Sequence, residues 1–192
     1  MCIRDRFQGL IAAAIGLTAT ADVFNLPNTI PNMVYILVVG GVLNAVLVPV
    51  LVRAIKEDAD GGQAYSQRLF SLVVVVLGAA TVIAVVAAPW LMRLFVDAQW
   101  LAPENRAYFD NMVMFARFCL PQIFFYGLYV LVGQMLNARG RFGPMMWAPI
   151  VNNIVAVAVF GAYIMVAGPK GSEPFTTSEV LLLGIGSTVG VA

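Results

Sequence analysis

The chain alternates between long apolar runs and short charged links. No charged side chain occurs from Val23 to Val52, and further uncharged runs follow at Leu69–Met92, Phe118–Ala138 and Phe142–Pro169. About 20 consecutive apolar residues suffice for a helix to cross a hydrocarbon layer, and a charge at its centre costs about 3 kcal/mol. Four such runs, with shorter ones at either end, predict a polytopic membrane protein of the all-α class.

The pattern predicts a transmembrane bundle of about six helices. Their expected bounds are residues 7–20, 25–53, 66–92, 109–138, 142–168 and 178–192. The second uncharged run would be ~45 Å long as one straight helix, which exceeds the hydrocarbon layer. Because Pro27 and Pro31 lie near its start, we expect residues 23–31 to form a loop or broken turn at membrane depth. Pro89 and Pro121 predict kinks in later helices.

The two ends of the sequence predict a piece of a longer protein. The first and last predicted helices are too short to span a membrane, and residues 1–6 switch abruptly into apolar sequence. We expect residues 1–6 to be a non-native leader. A signal peptide is the alternative, because small residues at Ala19–Ala21 follow a basic and then an apolar stretch. Residues 7–192 are then the N-terminal part of a transporter domain.

Composition narrows the classes of function. Of the 192 residues, 61% are hydrophobic and 11% are charged, about half the charged share of a soluble domain. The net charge of +1 predicts no nucleic-acid partner, and the absence of histidine excludes Ser-His-Asp triads and histidine metal sites. Glu57, Asp58 and Asp60 are predicted to be a solvated loop rather than a magnesium site. We therefore expect neither an enzyme nor a bound cofactor.

The charged links predict the orientation in the membrane. The links after the second and fourth predicted helices carry Arg53, Lys56, Arg68, Arg139 and Arg141. By alternation these links lie on one side, whereas acidic residues offset the basic ones on the other side. The positive-inside rule then makes the first side cytoplasmic, together with the N-terminus.

Polar side chains inside the apolar runs are the candidate functional groups. Asn25, Asn28, Asn32 and Tyr35 recur at helical spacing and would share one face, with Asp22 just before them. They could line a polar cavity that holds one carboxylate. Alternatively, the asparagines cap a broken helix and hydrogen-bond across helices. A carboxylate at a membrane boundary is costly, which favours a functional role for Asp22.

The fourth predicted helix carries a second polar face. It consists of Gln122, Tyr126, Tyr129, Gly133 and Asn137, which follow one another at spacings of three and four. Such a stripe could line a cavity or form a tight helix–helix seam. The glycine favours the seam, because close packing requires a small residue.

Three other polar residues have open interpretations. Arg117 lies ~12 Å into the fourth predicted helix, where it either snorkels to the outer headgroups or faces an anionic substrate. Asn152 and Asn153 are adjacent and point about 100° apart on a helix. We therefore expect that they cannot both line one face and that at least one bonds a neighbouring helix.

Several short motifs occur in a fixed order along residues 7–192. They are Thr20-Ala21-Asp22, Ile30-Pro31-Asn32, Gly41, Val48-Pro49, Ala87-Ala88-Pro89-Trp90, Leu120-Pro121, Leu131-Val132-Gly133, Leu136-Asn137, Arg141-Phe142, Pro144, Ala148-Pro149 and Asn153. In this order they resemble the MurJ/MviN lipid II flippase family, which is similar to the multidrug and polysaccharide exporters of the same superfamily.

The resemblance implies a transporter of fourteen helices, of which this chain would supply about the first six. It implies movement of lipid II, a lipid-linked peptidoglycan precursor, from the inner to the outer leaflet of the bacterial cytoplasmic membrane by alternating access. The implied partners are this lipid-linked oligosaccharide, membrane lipids, a coupling ion or the membrane potential, and the remainder of the same chain.

The resemblance also carries over to individual residues. Asp22, Asn32 and Asn153 match family positions near the central cavity, and Arg117 matches a position where the family can carry a basic residue. Together with Asn28, which shares the face of Asn32, they form the predicted substrate-binding site. No catalytic or metal-binding residue is predicted.

Two departures from the family pattern matter. The family's first helix brings arginines into the cavity, but that stretch is truncated or overwritten here. Some members carry arginine after the Pro-Asn pair, where this chain reads Met33-Val34-Tyr35. Most of the cationic site is therefore absent from this sequence. The alternative function is a related multidrug or polysaccharide exporter, while an intramembrane enzyme or a passive scaffold accounts for fewer of these features.

Overall fold

The computed structural model describes residues 19–37, 49–50, 53, 63–141, 143–168 and 173–192. The longer helices there are α1 (Ala19–Leu37), α2 (Gln63–Val86), α3 (Ala88–Phe95), α4 (Arg106–Cys119), α5 (Gln122–Ala138), α6 (Gly143–Ala167) and α7 (Thr177–Val191). Two 3-10 turns, Ala98–Leu101 and Pro103–Asn105, connect α3 to α4. The suspected leader 1–6, the predicted helix 7–20 as far as residue 18, and the acidic cluster at 57–60 lie outside the described residues.

Among the residues that the structure describes, three helical stretches are long and apolar enough to cross a membrane, namely Gln63–Val86, Pro103–Ala138 and Met145–Ala167. Helix α7 is apolar but shorter. Each stretch overlaps one of the uncharged runs, since a charge cannot enter hydrocarbon at low cost. The prediction of an all-α transmembrane bundle is therefore confirmed for the part of the chain that the structure describes.

Helix α1 runs without a break through Pro27 and Pro31. The expectation of a loop at residues 23–31 is therefore wrong. Each proline removes one backbone donor, but a loop would leave many more backbone groups unpaired at membrane depth. Both prolines are buried, which places them on the side of α1 that packs against the bundle. Neighbouring helices thus support α1 at the two positions where a proline removes one of its own backbone hydrogen bonds.

Prolines divide two of the expected helices. A turn at Ala87, two residues before Pro89, separates α2 from α3, and a turn at Leu120 and Pro121 separates α4 from α5. At the second break, Ile123 N–H donates to the carbonyl of Leu120 at 3.0 Å, a three-residue turn instead of the α-helical four. The prolines were expected to kink these helices, and the structure interrupts the helix at both positions.

The bundle has an aromatic core, and two of its helices carry exposed apolar faces. The ring of Phe24 on α1 stands edge-to-face on Phe115 of α4 and Phe160 of α6, with centroids 5.4 and 5.6 Å apart. The large apolar residues of α2 and α6 are mostly exposed, among them Leu72 and Ile154. Apolar side chains in such numbers on a helix surface are suited to contact acyl chains.

Helices α6 and α7 approach closely because α7 carries glycines four residues apart. A Cβ atom placed on Gly186 would lie 2.5 Å from Val159 Cγ1, and one on Gly190 would lie 2.8 Å from Asn152 Oδ1. These distances are below van der Waals contact, so a larger residue would push the helices apart. The spacing is the small-xxx-small pattern of membrane helix pairs.

The turn between α5 and α6 is a Schellman motif. Arg141 N–H donates to the carbonyl of Leu136 at 2.8 Å, and Gly140 N–H donates to that of Asn137 at 2.9 Å. Gly140 has a φ of 71°, a left-handed conformation that favours glycine. This geometry produces the tight basic turn that the sequence predicts between the two apolar runs.

Candidate functional site

A polar cavity of about 270 Å³ lies between α1, α5, α6 and α7. Six carboxamide side chains line it: Asn25, Asn28, Asn32, Gln122, Asn152 and Asn153. The hydroxyl groups of Thr29, Tyr126 and Ser187 and the rings of Phe24 and Phe160 complete much of the wall. Many hydrogen-bonding groups are thus gathered in one cavity of an otherwise apolar helix bundle, which is typical of a binding site.

The asparagines of α1 reach the cavity because α1 is helical throughout. Asn25, Asn28, Thr29 and Asn32 recur every three or four residues and lie on one face. This is the face that the sequence predicts. It lines the cavity, and Asn28 also hydrogen-bonds across helices to Gln122, so both interpretations offered by the sequence have support. Asn28 is half-buried, whereas Asn25 and Asn32 are exposed on the open side of the cavity.

A hydrogen-bond network centred on Gln122 connects four helices at the cavity. Gln122 is 2% exposed, and its Nε2 donates to Asn28 Oδ1 at 3.2 Å and to Thr188 Oγ1 at 3.4 Å. The Thr188 hydroxyl in turn donates to the backbone carbonyl of Phe118. That carbonyl lies in the last turn of α4, where the break at Pro121 interrupts the helical ladder. The network therefore joins α1, α4, α5 and α7.

The polar face of α5 divides between the two roles that the sequence left open. Gln122 and Tyr126 line the cavity. Further along, the Tyr129 hydroxyl donates to the carbonyl of Met145 at 2.9 Å, and a Cβ on Gly133 would lie 2.4 Å from Met145 Cε. The first half of the stripe thus lines the polar cavity, and Tyr129 and Gly133 both contact α6 and line the adjoining cavities.

Both Asn152 and Asn153 line the cavity. The two residues point about 100° apart on the helix, so the cavity is lined by more than one face of α6. The cavity extends around the side of α6, since the small residues of α7 leave room for Asn152 beside Gly190. Asn152 is half-buried at this contact, and Asn153 is exposed.

Two adjoining cavities extend the polar one between α5 and α6. The first, of about 230 Å³, shares Tyr126 and Asn152 with the polar cavity. The second, of about 420 Å³, shares Tyr129 and Ala148 with the first and is otherwise lined mainly by apolar residues such as Leu128. The polar cavity therefore adjoins a mainly apolar cavity, with which it shares lining residues.

The predicted site residues are only partly brought together. Asn28, Asn32 and Asn153 line the polar cavity, whereas Asp22 and Arg117 lie outside its lining. Asp22 is exposed in the first turn of α1, on the side from which Asn25 and Asn32 reach the cavity. Arg117 is exposed near the end of α4.

Sequence reasoning missed the contribution of α7. Ser187 lines the cavity and Thr188 belongs to the Gln122 network. Their signal was present as two adjacent hydroxyl residues between glycines at positions 186 and 190 of an apolar helix. Small residues at that spacing are typical of helix contacts in membranes, and polar residues between them point to the interior of the bundle.

Comparison with known proteins adds an independent result. Residues 11–192 match the family model described as lipid II flippase MurJ. The probable lipid II flippase MurJ of Rhizobium tropici is 31% identical over 180 residues, which cover 93% of this chain and 33% of the relative. That of Rhizobium meliloti is 29% identical over 170 residues, 86% of this chain and 30% of the relative.

A relative from a third organism agrees with these two. The lipid II flippase MurJ of Burkholderia cenocepacia is 28% identical over 158 residues, 81% of this chain and 30% of the relative. The chain spans about a third of the length of the curated relatives that it matches. The resemblance inferred from the motifs is confirmed, since the family model covers most of the chain. This chain belongs to the lipid II flippase MurJ family.

Proposed function

We propose that the chain forms the N-terminal part of a flippase that moves lipid II from the inner to the outer leaflet of the bacterial cytoplasmic membrane. The observation that carries this proposal is a cavity rich in amides that adjoins a mainly apolar cavity in a helix bundle with membrane-spanning stretches. A lipid-linked precursor has a polar head and an apolar chain, so it needs both environments next to each other. The names of the matched relatives support the same substrate.

Within this proposal the amides of Asn28, Asn32 and Asn153 bind the head of the precursor. Each amide both donates and accepts hydrogen bonds, and together they replace part of the water that the head loses on leaving the membrane surface. The roles of Asp22 and Arg117 differ from those of the asparagines, because both residues are exposed outside the cavity lining. Asp22 orients an arginine or takes part in ion coupling, and Arg117 attracts the anionic part of the substrate.

The proposed orientation puts the N-terminus and the turn at Arg139 on the cytoplasmic side. A cavity at one end of the bundle is lined both by Gln63 at the start of α2 and by Arg139 at the end of α5. The links on either side of the α2–α5 segment therefore meet at one membrane surface. Both links carry basic residues, as cytoplasmic links do.

The proposal is tested by replacing the host's own lipid II flippase with the complete gene product that carries residues 1–192. The unsubstituted protein should restore growth and cell-wall synthesis in host cells that are depleted of their own flippase. Asn32→Ala and Asn153→Ala should reduce the rate of rescue. Asn137→Ala should not, because Asn137 lies on α5 outside the polar cavity.

A second measurement separates the flippase from an exporter of other solutes. The purified protein in proteoliposomes should move a fluorescent lipid II analogue between leaflets, and a cationic dye should not compete. Loss of movement when the ion gradient alone, or the membrane potential alone, is collapsed would identify the energy source. Transport of the dye without movement of the analogue would refute the proposal in favour of a multidrug exporter.

A further inference from the structure

The exposed apolar side of α2 continues into α3. From Leu72 to Val86, every exposed residue of α2 is apolar. Beyond the turn at Ala87, Trp90 and Leu94 of α3 are 65% and 79% exposed. Val86, Trp90 and Leu94 follow one another at intervals of four residues, the spacing of one side of a helix. One apolar surface therefore extends from the spanning helix α2 onto the short helix α3.

Helix α3 is apolar on two opposite sides. Ala88 and Met92 are fully buried and belong to the same core as Phe115 of α4. Trp90 and Leu94 each follow one of these two residues by two positions and so point about 200° away from it. A helix with apolar residues on opposite sides needs apolar surroundings on both. The core provides them on one side, and the described residues leave the other side open.

The exposed rings of Phe70 and Trp90 mark the width of a hydrocarbon layer. Leu91 N–H donates to the carbonyl of Ala87 at 2.9 Å, so the helical repeat continues across the turn. A separation of about 20 residues places Phe70 and Trp90 ~30 Å apart along the helices, which is the thickness of the hydrocarbon layer. Leu94, one turn further on, then lies in the headgroup layer, which extends about 5–7 Å beyond the hydrocarbon on each side.

The side chains at this level suit the boundary between hydrocarbon and headgroups. Tryptophan is enriched there, because its ring is apolar and its N–H can bond to water or headgroups. Arg93 is exposed between the buried Met92 and the exposed Leu94, where its long side chain can reach lipid phosphates. Exposed charge returns at Asp97, two residues after the end of α3, as expected where the headgroup layer meets water.

We propose that α3 is an interfacial anchor whose exposed side binds phospholipid at the boundary between hydrocarbon and headgroups. The anchor lies on the membrane surface opposite the turn at Arg139, because α2 begins beside that turn and α3 follows its other end. Trp90 and Leu94 contact the acyl chains beneath the headgroups, and Arg93 binds phosphate oxygens. Because the other side of α3 belongs to the core, this contact fixes the depth of α4 in the membrane. The inference goes beyond the proposed function and does not depend on the substrate.

The inference is tested by measuring the depth of a nitroxide label at position 94 of the complete gene product. Leu94→Cys carries the label, on a background without other cysteines, in vesicles of phosphatidylethanolamine and phosphatidylglycerol. Collisions with oxygen, which concentrates in hydrocarbon, and with a water-soluble nickel chelate report the surroundings of the label. The label should lie about 5–10 Å inside the headgroup boundary and collide with oxygen more often than with the chelate.

Two further labelled positions give the limits of the scale. Ile83→Cys reports hydrocarbon, because Ile83 is exposed in the spanning part of α2. Glu104→Cys reports water, because Glu104 is exposed in the link between α3 and α4. Chelate contact at Leu94 should exceed that at Ile83 and remain below that at Glu104.

Three results would overturn the inference. Chelate contact at Leu94 equal to that at Glu104 would show that α3 meets water. Exclusion of both reagents at Leu94 would show a protein partner, either the remainder of the chain or a second copy. A depth equal to that of Ile83 would show that α3 belongs to the spanning helix.

Trp90 allows a second measurement without a label. The fluorescence that Trp90→Phe removes should be quenched by phospholipids brominated near the carbonyl end of the acyl chain, and less by those brominated near the methyl end. Trp100→Phe is the control, because the Trp100 ring is half-buried and stands edge-to-face on Tyr108 with centroids 5.9 Å apart. Equal quenching of the two rings, or none of Trp90, would contradict the anchor. Neither measurement requires transport, so its result is independent of the flippase assignment.

Discussion

Replacing Gln122 with leucine should destabilise the bundle by removing the hydrogen bonds that join α5 to α1 and α7. The Gln122 side chain is buried, and its Nε2 lies 3.2 Å from Asn28 Oδ1 and 3.4 Å from Thr188 Oγ1. Leucine has a similar size and fills the same space without polar atoms. The substitution therefore tests the hydrogen bonds with little change in packing.

The magnitude follows from the number of bonds and from the reference state. Hydrogen bonds between membrane helices contribute about 0.6 kcal/mol each on average, because the unfolded chain in a membrane also finds partners. Gln122→Leu removes two such bonds and should lower the free energy of unfolding by about 1.2 kcal/mol. Thr188→Val should have a similar effect, since it removes the acceptor for Gln122 and the donor to the Phe118 carbonyl.

The double variant measures the shared bond. Because the Gln122–Thr188 bond is lost in both single variants, their combination should destabilise by about 0.6 kcal/mol less than the sum of the two. The assay is unfolding of the complete gene product by a denaturing detergent in mixed micelles, followed by circular dichroism. Ser187→Ala is the control, because its hydroxyl bonds the Leu183 carbonyl of its own helix. Its unfolding free energy should change little.

Two results would refute this reasoning. Strict additivity of Gln122→Leu and Thr188→Val would mean that the amide and the hydroxyl do not interact. A loss in Ser187→Ala as large as that in Thr188→Val would mean that any hydroxyl on α7 has the same effect. In either case the network would not connect the helices.

Three further substitutions test the packing of the bundle. Gly186→Ala should destabilise by about 1–3 kcal/mol, because its Cβ would meet the stiff side chain of Val159, and adding Val159→Ala should restore most of the loss in the same unfolding assay. Gly140→Ala should lower the thermal midpoint, because an alanine in the left-handed conformation costs about 1–2 kcal/mol. Gly161→Ala should not lower the midpoint, because its Cβ would meet no neighbour within 4 Å. Phe24→Ala should cost at least the ~1–3 kcal/mol of two edge-to-face ring pairs, and a smaller loss in detergent unfolding would contradict the described core.

Among the described residues, three of the four uncharged runs overlap a helical stretch long and apolar enough to span a membrane, because the cause of this pattern is local. A charge or an unpaired backbone group in hydrocarbon is so costly that the uncharged runs and the spanning helices must coincide. The asparagine face of α1 was predictable for the same reason, since Asn25, Asn28 and Asn32 follow the helical repeat. These features require no knowledge of neighbouring helices.

Other features depend on neighbours and were therefore not predictable. Whether Pro27 breaks α1 is decided by the helices that support it, and whether Asn152 reaches the cavity is decided by Gly190 on α7. The role of Thr188 depends on the carbonyl that the break before Pro121 leaves without a helical donor. In each case a residue's position is set by a contact distant in sequence.

The distribution of polar groups shows that the two sides of the bundle face different surroundings. The exposed side of α2 is apolar, with residues such as Leu72 and Ile83, and needs no partner other than acyl chains. The exposed side of the first turns of α1 carries Asp22, Asn25 and Asn32. A carboxylate is costly even near the boundary of a membrane helix, and the exposed amides would add to that penalty in contact with acyl chains. This polar side of α1 is therefore suited to face water or protein rather than lipid.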